Sequence, residues 1–271
     1  QGSGALVREG YVLTIGYLVI EAESVEVVGA DGKAVPATLA GYDHASGFGL
    51  LKLIGPLAGK PLPLGSSAAL DEREPAMVAT HGGREGVSLV HVVSRRPFSG
   101  SWEYQLDSAI YTYPPVQNWS GAALIGAKGD LLGIGSLIVP DAGGAGTQSP
   151  GNMFVPIDLL KPILGELLAQ GRSAQSKRAW MGVNCIELAG EVRVLRVSRA
   201  GPAEAAGLKP GDQIIRIDGQ TVDSLQTLWH RLWGGGAPER DVALDILRDG
   251  PSMRVPLHTV DRQSAIKQHE G

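Results

Sequence analysis

From residue 11 to about residue 140 the apolar positions come in short runs separated by turn signals: "GADGKAV" at 29–35, "IGPLAGKPLPLG" at 54–65 and "GAKGDLLGIGSLIV" at 126–139. Runs of this length, bounded by Gly, Pro and Asp, predict the strands of a sandwich or barrel. Within 24–28 the pattern alternates, with Val25 and Val27 on one face, and Asp31-Gly32 supplies a hairpin turn. The stretch "YVLTIGYLVIEAESVEVV", residues 11–28, carries one apolar strand into a turn that presents Tyr17, then into a second apolar run. Residues 141–151, "DAGGAGTQSPG", read as a glycine-rich loop.

The period then changes. In "PIDLLKPILGELLAQG", residues 156–171, Leu159, Leu160, Ile163, Leu167 and Leu168 fall near helical spacing, with Pro162 near the first turn and Gly171 in a C-cap position. "RSAQSKRA", residues 172–179, is polar and unpatterned, as a linker is. Beyond it strand and helix patterns mix through "VRVLRV", "DSLQTLWHRLW", "DVALDILRDG" and "MRVPLHTV", which predicts an α+β module. In its longer helix Leu225, Leu228, Trp229 and Leu232 share one face, and Asp223 with Gln226 predicts the cap. No internal repeat is present.

Composition narrows the class. With 43% hydrophobic and 19% charged residues the chain is a globular protein, and 38 glycines in 271 residues favour turns and short strands over long helices. The net charge of −4 is spread along the chain, so no surface for tracking phosphates is expected and nucleic acid is excluded as a partner class. Cys185 is the only cysteine, which excludes an intrachain disulfide and a cysteine-rich metal site. No clustered His, Asp and Cys spacing suggests a metal, and nothing calls for a cofactor. No run is apolar enough to span a bilayer, and nothing at the start resembles a secretory n-region and h-region, so the expectation is that any signal or anchor has been removed or was never present.

Residues 200–222, "AGPAEAAGLKPGDQIIRIDGQTV", resemble the most diagnostic segment of a bacterial PDZ domain: Pro202 opens a short helix, Gly207 closes it, and "KPGD" turns the chain into a strand. The resemblance implies that "WMGV" (Trp180, Met181, Gly182, Val183) is a carboxylate-binding loop, the alternative being the plain start of a strand. A peptide would lie as an added strand beside residues 183–187, facing the helix that bears Leu228 and Leu232.

Ahead of that module, "GSGALVREGYVLT", "GYDHASGFGLLKL", "NWSGAALIGAKGDLLGIGS" and "NMFVPIDLLKPILGELLAQGR" are similar to successive segments of the HtrA/Deg serine proteases. The resemblance covers nearly the whole chain. It implies a mainly β fold, a trypsin-like double β-barrel followed by an α+β PDZ domain. The implied division is 1–172, a linker at 173–179, the PDZ domain at 180–260 and a tail at 261–271. The upstream segment that the family uses for trimer contacts has no counterpart here, which leaves a homo-oligomer open.

The family's catalytic positions can be carried over one at a time. The histidine three residues after "VLT" falls on Tyr17, the aspartate before "LALLK" falls on Gly47, and the serine of GNSGGP falls on Ser120 in "NWSGAA". Serine is a weak nucleophile that needs a base titrating near neutrality, the task of an imidazole. Tyrosine, near 10, is protonated there, and burial would raise it further. Losing the base in a serine protease costs about a millionfold in turnover. The oxyanion donors would be the N–H groups of Asn118 and Ser120, where the family's glycine is replaced by an asparagine that tolerates positive φ. The segment "IYTYPPVQNW" before Ser120 is longer than its family equivalent and is expected to be rebuilt.

These residues imply an inactive protease homologue that binds C-terminal or unfolded peptide segments through its PDZ domain. The alternative is an active serine endopeptidase with a rearranged site, in envelope protein quality control. His44, beside Asp43 and three residues from Gly47, is the nearest replacement base in sequence; otherwise it is an exposed loop histidine. His81 and His91 read as structural, and Ser120 without partners reads as a small turn residue. A periplasmic location is implied by the resemblance alone.

Overall fold

A computed structural model describes residues 1–267 and divides the chain into two units, Gln1–Pro97 with Asp107–Ala174, and Phe98–Leu106 with Gln175–Gly271. The segment Phe98–Leu106 therefore belongs with the second unit, which a contiguous division of the sequence at 172 does not anticipate.

In the first unit β1 (Ala5–Arg8), β2 (Tyr11–Ile15), β3 (Val25–Val28), β4 (Ala34–Tyr42) and β5 (Phe48–Leu53) form an antiparallel sheet in the order β1-β2-β5-β4-β3. The alternation of β4 turns Val35 and Ala37 inward, and together with Val12, Leu51 and Leu53 they make one core. The Asp31-Gly32 turn joins β3 to β4, with Gly32 at φ 77°. Next come β6 (Pro75–Ala79), β7 (Val87–Gly100), β8 (Tyr104–Tyr113), β9 (Ala123–Ile125), β10 (Leu131–Val139) and β11 (Gly151–Pro156), which close a barrel in the order β10-β11-β8-β7-β6-β9. Val78, Val92, Ile110, Leu124 and Phe154 fill it. The chain then makes a 3₁₀ turn and α1 (Leu164–Gln170), ended by Gly171 at φ 75° as its spacing predicts. Ser173, expected in the linker, is instead buried and donates to Asp43.

The second unit contains β12 (Ala179–Trp180), β13 (Val183–Leu188), β14 (Glu191–Val197), α2 (Pro202–Ala205), β15 (Gln213–Ile217), β16 (Gln220–Thr221), α3 (Leu225–Gly234), β17 (Asp241–Leu247), β18 (Ser252–His258), β19 (Val260–Asp261) and α4 (Arg262–Lys267). Its main sheet runs β13-β14-β15-β17-β18, with β16 on β15 and a separate β12-β19 pair. The α3 face predicted from spacing is buried: Leu225, Leu228, Trp229 and Leu232 pack with Met181, Cys185, Leu244 and Ile246. The cap differs from expectation. Ser224 Oγ, one residue after Asp223, accepts the Thr227 N–H at 3.1 Å, and Asp223 instead accepts from the Ser224 and Thr227 hydroxyls.

Candidate functional site

The turn at Gly16–Leu18 that follows β2 presents Tyr17, and the Gly16 N–H donates to the Gly47 carbonyl at 2.7 Å. The positions carried over from the family's histidine and aspartate are therefore adjacent, joined through backbone. Gly47 lies at φ 82°, in the left-handed region where glycine is at ease and other residues are strained. Its N–H is taken by the Asp43 carbonyl at 2.7 Å.

Ser120 sits on a turn built from three sides. The Ala122 N–H closes onto the Trp119 carbonyl at 2.9 Å, and Gly121 and Ala122 exchange bonds with Gly135 of β10. On the third side the Ser3 N–H donates to the Ser120 carbonyl at 2.8 Å, while the Thr14 hydroxyl donates to the Ser3 carbonyl at 2.7 Å. Gly121 lies at φ 74°, and a methyl group there would meet the Ser3 oxygen at 2.0 Å, so only glycine fits. The segment ahead of the turn is pinned by buried Asn152, whose amide accepts the Val116 N–H at 2.6 Å and donates to the Val116 carbonyl at 3.0 Å.

Tyr17 reaches into this turn. Its hydroxyl is 2.8 Å from Ser120 Oγ and donates to the Ser136 carbonyl at 2.7 Å. A phenol has one proton, and a carbonyl can only accept, so the proton between Tyr17 and Ser120 is the serine's. The result is a neutral chain from Ser120 to Tyr17 to the Ser136 carbonyl. Burial pushes the Tyr17 phenol above its ordinary value, and the bonds from Ser120 and Trp119 that favour the phenolate offset this only in part. A base at this position would have to accept the serine's proton at neutral pH, and a protonated phenol cannot.

The remaining expectations divide. His44 is not an exposed loop residue: it is 4% exposed, with its ring edge-on to Tyr42 at 4.4 Å. Asp43 is committed to the local turn, accepting from the Ser46 N–H at 2.7 Å and hydroxyl at 2.6 Å and from the Ser173 hydroxyl at 2.5 Å. His81 and His91 are on the surface. Asn118, a residue type that tolerates positive φ, does not use that freedom here. Ser3, Thr14 and Ser136 were not legible as site residues, because Ser3 and Ser136 contribute carbonyl groups and Thr14 acts on Ser3.

In the second unit, Trp180, Met181, Gly182 and Val183 join β12 to β13. The Met181 carbonyl accepts the Ala203 N–H and the Gly182 carbonyl accepts the Ser198 N–H, each at 2.8 Å. Because a trans peptide points its N–H opposite to its C=O, these bonds turn the Gly182 and Val183 N–H groups the other way. Gly182, at φ 82°, completes the concave turn. The loop holds a carboxylate. Glu103 Oε1 accepts from Gly182 at 2.8 Å and Val183 at 3.0 Å, and Oε2 accepts from Met181 at 3.1 Å. Leu228 and Leu232 are fully buried and present no open surface. Among the described residues no cluster suited to a metal ion occurs, and no helix is long and apolar enough to cross a membrane.

Residues 2–134 match the family model of the trypsin-like peptidase domain, and residues 179–258 that of the PDZ domain. The chain is 30% identical over 280 residues to a probable periplasmic serine endoprotease, DegP-like, of Halomonas elongata, covering 96% of this chain and 56% of that protein. It is 27% identical over 295 residues to the periplasmic serine endoprotease DegP of Escherichia coli, covering 100% of this chain and 60% of that protein. The chain thus spans less than two thirds of these relatives. Among solved structures, the HtrA-type protease AlgW with a decapeptide shares the fold, with a TM-score of 0.62 at 24% identity over 96% of this chain and 82% of that one.

Proposed function

The chain belongs to the HtrA/Deg family, and from that premise we propose that it is a non-hydrolytic member, a periplasmic protein that holds peptide or protein segments through its PDZ domain. The observation that carries this reading is the Tyr17 hydroxyl, 2.8 Å from Ser120 and donating to the Ser136 carbonyl. It occupies the base position and satisfies the serine's proton without being able to remove it. Gly47 supplies no carboxylate, and Asn118, in place of the family's glycine, is not at positive φ. The loop at residues 180–183, whose N–H groups converge on a carboxylate, supports a role in binding chain termini. The names of the relatives support the periplasmic location.

The second reading, an active endopeptidase with a rearranged site, draws on the same names, since those relatives are described as endoproteases. One experiment separates the two. The purified protein is incubated with casein and with a fluorophosphonate probe, beside Ser120→Ala. The proposal expects no cleavage and no labelling from either protein. Cleavage and labelling that vanish in Ser120→Ala would overturn it, because a contaminating protease would survive that substitution.

A further inference from the structure

The carboxylate in the PDZ loop comes from inside the chain. We infer that the hairpin tip at residues 100–103 is the resident ligand of the PDZ groove, holding it shut until a peptide with a free C-terminal carboxylate displaces it. This inference rests on reading the loop at 180–183 as a peptide-terminus site.

Three contacts place the tip as a ligand. The first is the Glu103 carboxylate, with both oxygens on the N–H groups of Met181, Gly182 and Val183 and only 2% of the residue exposed. The second runs along the strand: the Cys185 N–H donates to the Ser101 carbonyl at 2.9 Å. Val183 reaches the Glu103 side chain and Cys185, two residues on, reaches the Ser101 carbonyl, so the tip runs antiparallel to β13, the direction of an added strand. The third comes from the helix side, where the Nε1–H of fully buried Trp229 donates to the Gly100 carbonyl at 2.9 Å. The tip thus engages both the strand and the helix expected to flank a bound peptide, with a side-chain carboxylate standing in for a main-chain one.

The surroundings of Glu103 hold it there. Arg262 Nη1 donates to its carbonyl at 2.9 Å, placing a cation beside it. Trp102 stacks on Tyr104 at 5.9 Å, and Phe98 packs against both rings. Glu103 itself lies at φ 58°, a conformation unfavourable for any residue but glycine, so its contacts must maintain it. A hairpin tip that gave up those contacts would relax, which makes the docked state exchangeable rather than part of an obligatory core. An internal ligand also competes at high effective concentration, so a peptide meets a groove that is open only a fraction of the time, and its apparent affinity falls by that fraction.

The test compares wild type with Glu103→Ala, as the full chain, by two readouts. Fluorescein-labelled decapeptides ending in valine, leucine or phenylalanine, each with its amidated twin, are titrated by fluorescence polarisation. Hydrogen exchange at the amides of residues 181–183 and 185 is followed by NMR. The expected result is fast exchange at these amides in Glu103→Ala only, with at least one free-acid peptide binding it tenfold or more tighter than wild type and no gain for the amides. Protection unchanged in the variant, or free-acid peptides binding both proteins equally, would overturn the inference, the second result leaving the PDZ peptide-binding reading intact. If the amides open but no peptide binds either protein, the displacement falls together with that reading. Should Glu103→Ala fail to fold, Glu103→Gln, which keeps the shape but removes the charge, carries the same comparison.

Discussion

The hydroxyl of Tyr17 and Oγ of Ser120 are 2.8 Å apart, the separation of a nucleophile and its base, with a phenol where the proposal of a non-hydrolytic protein needs the base to be absent. The turn geometry brings the two positions together, and on the proposed reading only the proton-accepting chemistry is lost. Tyr17→Phe separates these two features. It removes the serine's acceptor and the donor to the Ser136 carbonyl, so it should cost about 0.5–1.5 kcal/mol of stability and lower Tm by a few degrees. Fluorophosphonate labelling should remain absent. Labelling that appears in Tyr17→Phe would mean that Tyr17 suppresses a competent serine rather than replacing a lost base.

Restoring the two missing triad side chains should not restore the enzyme. Tyr17→His supplies an imidazole, but Gly47→Asp places a side chain at φ 82°, at a cost of about 1–2 kcal/mol. Any shift of Gly47 that relieves this strain disturbs the bond from Gly16 that positions residue 17. The donors for a tetrahedral oxyanion would still have to come from a backbone in which Asn118 is not left-handed. Turnover by the double variant is expected to stay below one-thousandth of that of a working relative assayed in parallel with casein. Turnover approaching the relative's would show that the oxyanion donors are in place and that only the triad was lost.

The segment around Ser3 is predicted to be an integral part of the Ser120 turn. Gly121 and Gly129 both have φ near 75°, but only at Gly121 would a methyl group meet backbone, the Ser3 oxygen at 2.0 Å, while at Gly129 the space is open. Gly129→Ala should therefore cost about 1 kcal/mol, the conformational penalty alone. Gly121→Ala should cost at least about twice that, because Ser3 must leave its place. Thermal unfolding of the two variants measures the difference, and equal shifts would show that Ser3 yields freely.

How far the sequence foretells this arrangement depends on which groups carry each contact. The buried face of α3 and the Gly171 cap follow from side-chain spacing and glycine geometry, and the structure shows both. Tyr17 and Ser120 could be aligned because the turns that hold them keep their flanking apolar strands. The Ser3 and Ser136 carbonyls could not be read, since every residue has a carbonyl and only the fold selects which is used. Glu103 was missed for another reason. One carboxylate in "FSGSWEY" looks like a solvated hairpin residue, and its partners at 181–183 lie 78 to 80 positions away. His44 differs in another way: its polar neighbours in sequence read as an exposed loop, whereas the turn after β4 folds its ring back into a buried contact with Tyr42.

Acid stability of the second unit depends on Asp212. Asp212 is buried, accepts the Nε and Nη2 donors of Arg248 at 2.7 Å each, and accepts the Lys209 N–H at 2.8 Å. Burial alone would raise its carboxyl, but the Arg248 fork and the backbone bond outweigh it and hold the group below the usual carboxylate range. A depressed folded value means that the native state prefers the charged form. The stabilisation is therefore fully present above about pH 4, the ordinary aspartate value, and is lost as pH falls through it towards the folded value. Asp212→Asn should remove this contribution at all pH values, because an amide nitrogen turned towards Arg248 sets donor against donor. The expected cost near neutrality is about 1–3 kcal/mol. Four of the five tryptophans, Trp102, Trp180, Trp229 and Trp233, belong to this unit, so fluorescence-monitored unfolding of the full chain reports on it. Between pH 6 and pH 3 the wild type should lose more stability than Asp212→Asn, and the two curves should converge at the acid end. Parallel curves across that range would show that Asp212 titrates alike in the folded and unfolded states and that the Arg248 pair contributes nothing to acid sensitivity.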